Sequence, residues 1–184
     1  INTTAGSTYA VSFSLSKNPY LTASDTYAEV RAMAGDSFSQ LYRFIDATSA
    51  TDMKWQQIGY EFTAGSAVTE LKFESTYPDA STSGGIYASG PALDNVAVVE
   101  KQTIEHFIKG DNGDSLDFSG LMDSVGAPET AEDIFSGGWL DFDSSSGTDT
   151  SIGFDSNGGG DNYVEIITLV GTVLTESDTG NFVV

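Results

Sequence analysis

The segment Asp155-Ser156-Asn157-Gly158-Gly159-Gly160-Asp161 places oxygen-bearing side chains at its first, third and seventh positions, with glycine between them. That spacing suits a tight cation loop. Glycine lets the backbone curl until alternate oxygens converge on one calcium ion at about 2.3–2.6 Å. Asn162 and Glu165 are further donors, but the twelfth position is Ile166, so the bidentate glutamate of an EF-hand is missing. The competing reading is a solvated hairpin loop. Asp111-Asn112-Gly113-Asp114, followed by Asp117, is a second candidate for calcium. It looks like one degenerate copy of the glycine-aspartate nonapeptide that winds calcium-binding β-rolls, and a roll needs several stacked copies. Asp141, Asp143 and Asp149, around a serine-rich stretch, read as a charged turn in solvent.

Hydrolytic chemistry finds few parts. The single histidine, His106, sits between Glu105 and Phe107 and reads as a strand residue rather than a general base. No glycine pattern of a nucleophile elbow is present, and no dinucleotide or phosphate loop. One His and no Cys exclude thiolate chemistry, disulfides and zinc sites built from several such ligands. We therefore expect no enzyme. Aromatic side chains offer a different function, since flat rings bury the apolar face of a pyranose. Trp55, Tyr77 and Tyr87 are the candidate sugar-stacking residues, with Tyr42 and Tyr60 also available. Trp55 alternates with Gln57 and Gly59, so it faces either solvent or core, and core packing is the plainer expectation. Tyr77 and Tyr87 lie in or beside a long Gly/Ser loop, where exposure is expected.

Charge narrows the partners. Twenty-seven acids against seven bases give a net charge of −20 over 184 residues. Residues 1–100 hold eleven acids and five bases, whereas residues 101–184 hold sixteen acids and two bases. Such a field repels phosphate backbones and anionic membrane surfaces, and it draws divalent cations as counterions. Calcium is the expected cofactor. No apolar run reaches the length of a membrane span, and no positively charged leader is visible. The chain opens on Ile in mid-pattern, so it reads as a processed form or a fragment.

The elements that must carry these residues are strands. Residues 9–15 (YAVSFSL) alternate large apolar with small residues, the period of a half-buried strand. Further strand patterns occupy 26–34, 39–45, 54–62, 67–73 and 93–99, with Thr63-Ala64-Gly65-Ser66 as a hairpin loop between two of them. After Glu100 the composition shifts, and thirteen of the twenty glycines follow. There 103–108, 150–154 and 163–169 read as strands. Pro128, with Glu129, Glu132 and Asp133 behind it, opens a short helix that Gly137-Gly138 stops. Phe182-Val183-Val184 is an apolar tail. The expected fold is all-β: a jelly-roll-like β-sandwich over 1–99, followed over 100–184 by a small, mostly β domain containing the calcium loop.

Two resemblances follow from these residues. Asp52-Met53-Lys54-Trp55, Tyr60-Glu61-Phe62-Thr63-Ala64, Thr69-Glu70-Leu71-Lys72-Phe73 and Gly90-Pro91-Ala92-Leu93-Asp94-Asn95-Val96 resemble the choice-of-anchor C domain, related to the DUF642 group. The resemblance implies a galactose-binding-like β-sandwich on an extracellular protein, with Asp94-Asn95 turning the chain into the final strand. Such domains have further strands ahead of the segment resembling 4–13. Here those strands would belong to another polypeptide, or a neighbouring subunit would supply them by strand addition, which makes an oligomer or filament.

The second half, through Thr103-Ile104-Glu105-His106-Phe107, the stretch 113–121, Ile152-Gly153-Phe154-Asp155, Ile167-Thr168-Leu169-Val170-Gly171 and the apolar end, resembles the target domain that closes type I secretion substrates among RTX-type surface proteins. It implies recognition by the exporter and folding outside the cell on meeting calcium. The function expected is a calcium-dependent structural or adhesive module, secreted or on the cell surface. The alternative is a carbohydrate-binding module of a larger extracellular protein. Neither nucleic acid nor membrane insertion is expected.

Overall fold

The computed structural model describes residues 1–19, 28–44, 49–76, 91–110, 112–128, 130–160 and 162–184. The sequence patterns at 20–27, 45–48 and 77–90 lie outside them. The chain is mostly β and forms two compact units, one from residues 1–8 and 13–96 and the other from 9–12 and 97–184. Among the described residues no helix is long and apolar enough to cross a membrane.

The first unit rests on two three-stranded sheets. One has the order β4 (Gln56–Thr63), β1 (Thr8–Ser16), β6 (Ala92–Glu100); the other is β3 (Phe38–Phe44), β2 (Ala28–Ala34), β5 (Leu71–Ser75). In the second sheet β2 pairs antiparallel with both neighbours, and the register Val30↔Tyr42 and Ala32↔Phe73 puts small residues beside rings. Phe13 of β1, fully buried, meets Tyr42, Tyr60 and Phe73 edge-on at 5.8, 6.0 and 5.0 Å. Phe38 stacks on Tyr60 at 4.0 Å. These rings come from both sheets and fill the space between them, as in a β-sandwich.

Three expectations change here. The alternating pattern of β1 predicts one solvated face, yet side chains on both faces are buried, while β4 and β6 cover its two edges. Its polar positions are serines, small enough to be covered once bonded: Ser16 donates to the Met53 and Lys17 carbonyls. Second, residues 63–66 are not a hairpin loop, since β4 pairs in one sheet and β5 in the other. Third, Asp94 and Asn95 do not turn the chain into the last strand. They lie inside β6, where Asn95 takes a left-handed φ of 51°.

The second unit holds a four-stranded sheet of order β7 (Gln102–Glu105), β11 (Val164–Val170), β10 (Thr150–Phe154), β9 (Leu140–Asp143). β9, β10 and β11 run antiparallel, while β7 lies parallel to β11. β12 (Phe182–Val183) pairs parallel with β8 (Leu116–Asp117), so the apolar tail is a strand with Phe182 buried. The expected short helix is α2 (Ala131–Ser136), but it opens after Pro128, at an N-cap formed by the Thr130 hydroxyl accepting from the Asp133 N–H. A further helix, α1 (Ser119–Val125), was not legible beforehand: seven residues are too few to show a period. One apolar core runs through Phe107, Phe118, Ile134, Leu140, Ile152, Phe154, Ile166 and Phe182, and Ala10 of β1 belongs to it.

Tyr60 supplies the test of the first core. Among the described residues its hydroxyl is buried without a hydrogen-bond partner, and burial, reinforced by the neighbouring Tyr42, pushes its pKa up to about 12. Removing an unsatisfied hydroxyl while keeping the ring costs nothing in bonds, so Tyr60→Phe should be neutral or stabilise by up to about 1 kcal/mol in denaturant unfolding. A loss of about 1 kcal/mol or more would show that the hydroxyl is bonded after all.

Candidate functional site

The glycine-rich loop joins β10 to β11, and its first residue is the most enclosed acid among the described residues. Asp155 is fully buried. Its Oδ1 accepts from the Asn157 N–H at 3.3 Å and its Oδ2 from the Gly160 N–H at 3.1 Å. Its own N–H donates to the Trp139 carbonyl at 2.9 Å, and the Gly159 N–H donates to the Gly137 carbonyl at 2.8 Å. The loop is thereby wound around the carboxylate and fastened to the segment before β9. Gly158 has a φ of +69°, and a Cβ there would meet the Trp139 ring at 2.7 Å, so glycine is required for both reasons. Ser156 is also buried, accepting from the Ser12 hydroxyl at 3.0 Å. Asn157 is exposed at the loop tip. Burial raises the pKa of nearby Tyr163, with the negative charges of Asp141 and Asp155 adding to it.

Of the other calcium candidates, Asp161 and Asp111 lie outside the described residues. Asp114 closes its own turn: its Oδ2 accepts from the Ile108 N–H at 2.9 Å while its N–H donates to the Ile108 carbonyl at 2.7 Å. Gly113 is obligatory in this turn, because a Cβ would come within 2.0 Å of the Ile108 oxygen. Asp117 turns elsewhere. Its Oδ1 accepts from the Ser119 hydroxyl at 2.6 Å and the Ser119 N–H at 3.0 Å, contacts that hold its pKa below the usual carboxylate value. Among the described residues no group of three or more His, Asp or Glu side chains converges on a common point. The loop brings Asp155 and Asn157 into one turn, in which both carboxylate oxygens of Asp155 accept from backbone N–H groups.

The aromatic candidates separate. Trp55 is 44% exposed, against the plainer expectation of core packing, because Lys54 ahead of it takes a left-handed φ of 51° and β4 begins only at Gln56. Tyr60 is committed to the core and Tyr42 lies against Phe13. Tyr77 and Tyr87 lie outside the described residues. His106 is exposed at a φ of 62°, just past the end of β7 rather than within a strand.

Sequence reasoning missed the residues that tie the end of the second unit. Asn181 is almost fully buried. Its amide accepts from the Gly110 N–H at 2.9 Å and donates to the Gly110 and Asp114 carbonyls at 3.3 and 2.6 Å. Thr150, also fully buried, donates to the Thr172 carbonyl at 2.9 Å and accepts from the Leu174 N–H at 2.9 Å. Asp178 accepts from the Thr175 hydroxyl at 2.7 Å and the Thr175 N–H at 2.8 Å, closing a capping box over a 3₁₀ turn at Glu176–Asn181. The Thr-x-x-Asp spacing was the available signal. The Thr175 hydroxyl, then its N–H and the Lys109 ammonium 3.3 Å away, lower the Asp178 pKa.

The chain belongs to the family described as "Protein of unknown function (DUF642)", whose model matches residues 1–99. No curated protein and no solved structure matches it.

A lowered folded-state pKa means that Asp178 stabilises the fold above its unfolded value, and that this contribution fades as pH falls through the folded value. Asp178→Asn should therefore melt at a lower temperature than wild type near pH 7, with the gap closing as pH drops from about 5 towards about 3. A gap that stays constant with pH would refute the assignment.

Proposed function

We propose that this DUF642-family chain is a calcium-dependent structural or adhesive module, secreted or displayed on the cell surface, whose second half also serves type I export. The observation that carries the reading is a shortage of cations. Residues 101–184 hold sixteen acids, and their two bases are already engaged, Lys101 with Glu165 at 3.2 Å and Lys109 with Asp178 at 3.3 Å. The remaining carboxylates repel one another, and a hard divalent ion is the natural partner for such oxygens. The loop wound on Asp155 supports the same reading, since a preformed turn lowers the cost of gathering ligands.

Self-association by strand addition is part of the proposal. Among the described residues β6 lies at the edge of its sheet, with Leu93 and Val96 40% and 45% exposed. Calorimetry with a parallel measurement of particle size tests both. Calcium that binds only the folded chain stabilises it by about 2.7 kcal/mol at a hundredfold excess over its Kd, so the melting temperature should rise and fall back on adding chelator. No shift at about 10 mM calcium, well above the range of extracellular sites, removes the ion from the account. A monodisperse monomer at high concentration removes the assembly.

Trp55 favours a second reading, a carbohydrate-binding module. A ring presented at the head of β4 beside the Asp52–Lys54 ion pair has the form of a sugar platform. Tyr77 and Tyr87 are the further stacking candidates in the sequence. On a glycan array or affinity gel, Trp55→Ala should abolish retention by any polysaccharide that holds the wild type; equal retention of the two would exclude Trp55 as the platform.

A further inference from the structure

We infer that a groove beside α2 and β9 receives an arginine or lysine side chain, with its apolar neighbour, from a basic segment of a partner polypeptide. The groove has a volume of about 640 Å³, and Phe135, Leu140 and Phe142 line its apolar side. Leu140 is buried, while Phe135 and Phe142 are half-buried with their rings edge to face at 5.8 Å. Glu132 and Asp141, both exposed, line the same groove. Neither takes part in an ion pair among the described residues.

The chemistry of the lining selects the occupant. Arginine and lysine lay a hydrocarbon stem along apolar surface while the charged head stays at the polar rim, which suits rings flanked by carboxylates. The head is also attracted to the faces of aromatic rings. Anionic ligands meet the field of a half carrying sixteen acids and two bases. A second copy of this chain offers seven basic residues among twenty-seven acids, so a different, basic polypeptide suits this groove better. The volume falls in the range of pockets, about 300–1,000 Å³, that take drug-sized ligands, and so leaves room for a basic side chain together with its neighbour.

Fluorescence anisotropy of the whole chain with a fluorescein-labelled peptide of alternating arginine and leucine tests the inference, at about 50 mM salt so that screening is modest. The double variant Glu132→Gln, Asp141→Asn should weaken binding about tenfold, each contact contributing roughly half of that 1.4 kcal/mol. The double variant Glu105→Gln, Asp123→Asn removes the same charge from exposed acids that do not line the groove, and should weaken it less than about twofold. Equal losses in the two double variants would mean that the peptide answers only to the overall field. Equal binding of an arginine–serine peptide would mean that the aromatic side is not used, and no binding of the arginine–leucine peptide would mean that the groove is not a site. Any of these three results overturns the inference. All four substituted side chains are exposed, so unchanged melting temperatures are expected alongside.

Discussion

Carboxylates outnumber cations almost four to one in this chain, and beside a few ion pairs the structure answers with backbone amides and hydroxyls. Asp155 gathers the N–H groups of its own loop, Asp114 that of Ile108, Asp143 that of Ser145, Asp149 that of Gly171. Asp117 and Asp178 add serine and threonine hydroxyls. A charged acceptor makes a stronger hydrogen bond than a neutral one, so each of these acids holds a turn in place while its own charge is stabilised. The turns of the second unit are therefore built by the same residues that create its repulsion. Glycine is needed where the backbone turns left-handed, as at Gly158, Gly159 and Gly160 in the loop that closes on Asp155.

The two units solve packing differently. In the first, aromatic rings from two sheets meet around Phe13, and the flanking positions of β2 are alanines and a valine that make room for them. Charge enters only at the sheet's other face, where buried Glu29 accepts from the Thr76 hydroxyl and from the Arg43 side chain opposite it in the register. Those two contacts, the hydroxyl first, lower its pKa. In the second, aliphatic and aromatic side chains from strands and two short helices share one core, and buried polar groups such as Thr150 and Asn181 are fully bonded. A buried polar group that is satisfied in this way rigidifies its surroundings, whereas one left unbonded destabilises them.

Much of the second unit's candidate loop was legible because it is local. Asp155, Asn157 and the three glycines are neighbours in the chain, and the turn they make needs only φ angles that glycine supplies. The placement of Trp55 and Tyr60 was not legible. Both are aromatic residues in one strand-like stretch, yet Trp55 is presented to solvent and Tyr60 is stacked on Phe38. The difference comes from a left-handed residue at Lys54, which shifts where β4 begins, and from a partner sheet that the chain supplies from elsewhere. Asn181 was missed for a similar reason: its partners, Gly110 and Asp114, lie about seventy residues away.

By itself, the amino-acid order determined the all-β class, the acidity and the tight glycine turns, because period-2 patterning, net charge and backbone freedom act between near neighbours. Only the tertiary structure decided which strands pair and which faces close. It separated β4 from β5 although a short loop joins them, buried both faces of β1, and gave residues 9–12 to the second unit. Those outcomes depend on contacts between distant segments, where several pairings satisfy the same local pattern and the one that buries the most apolar surface prevails.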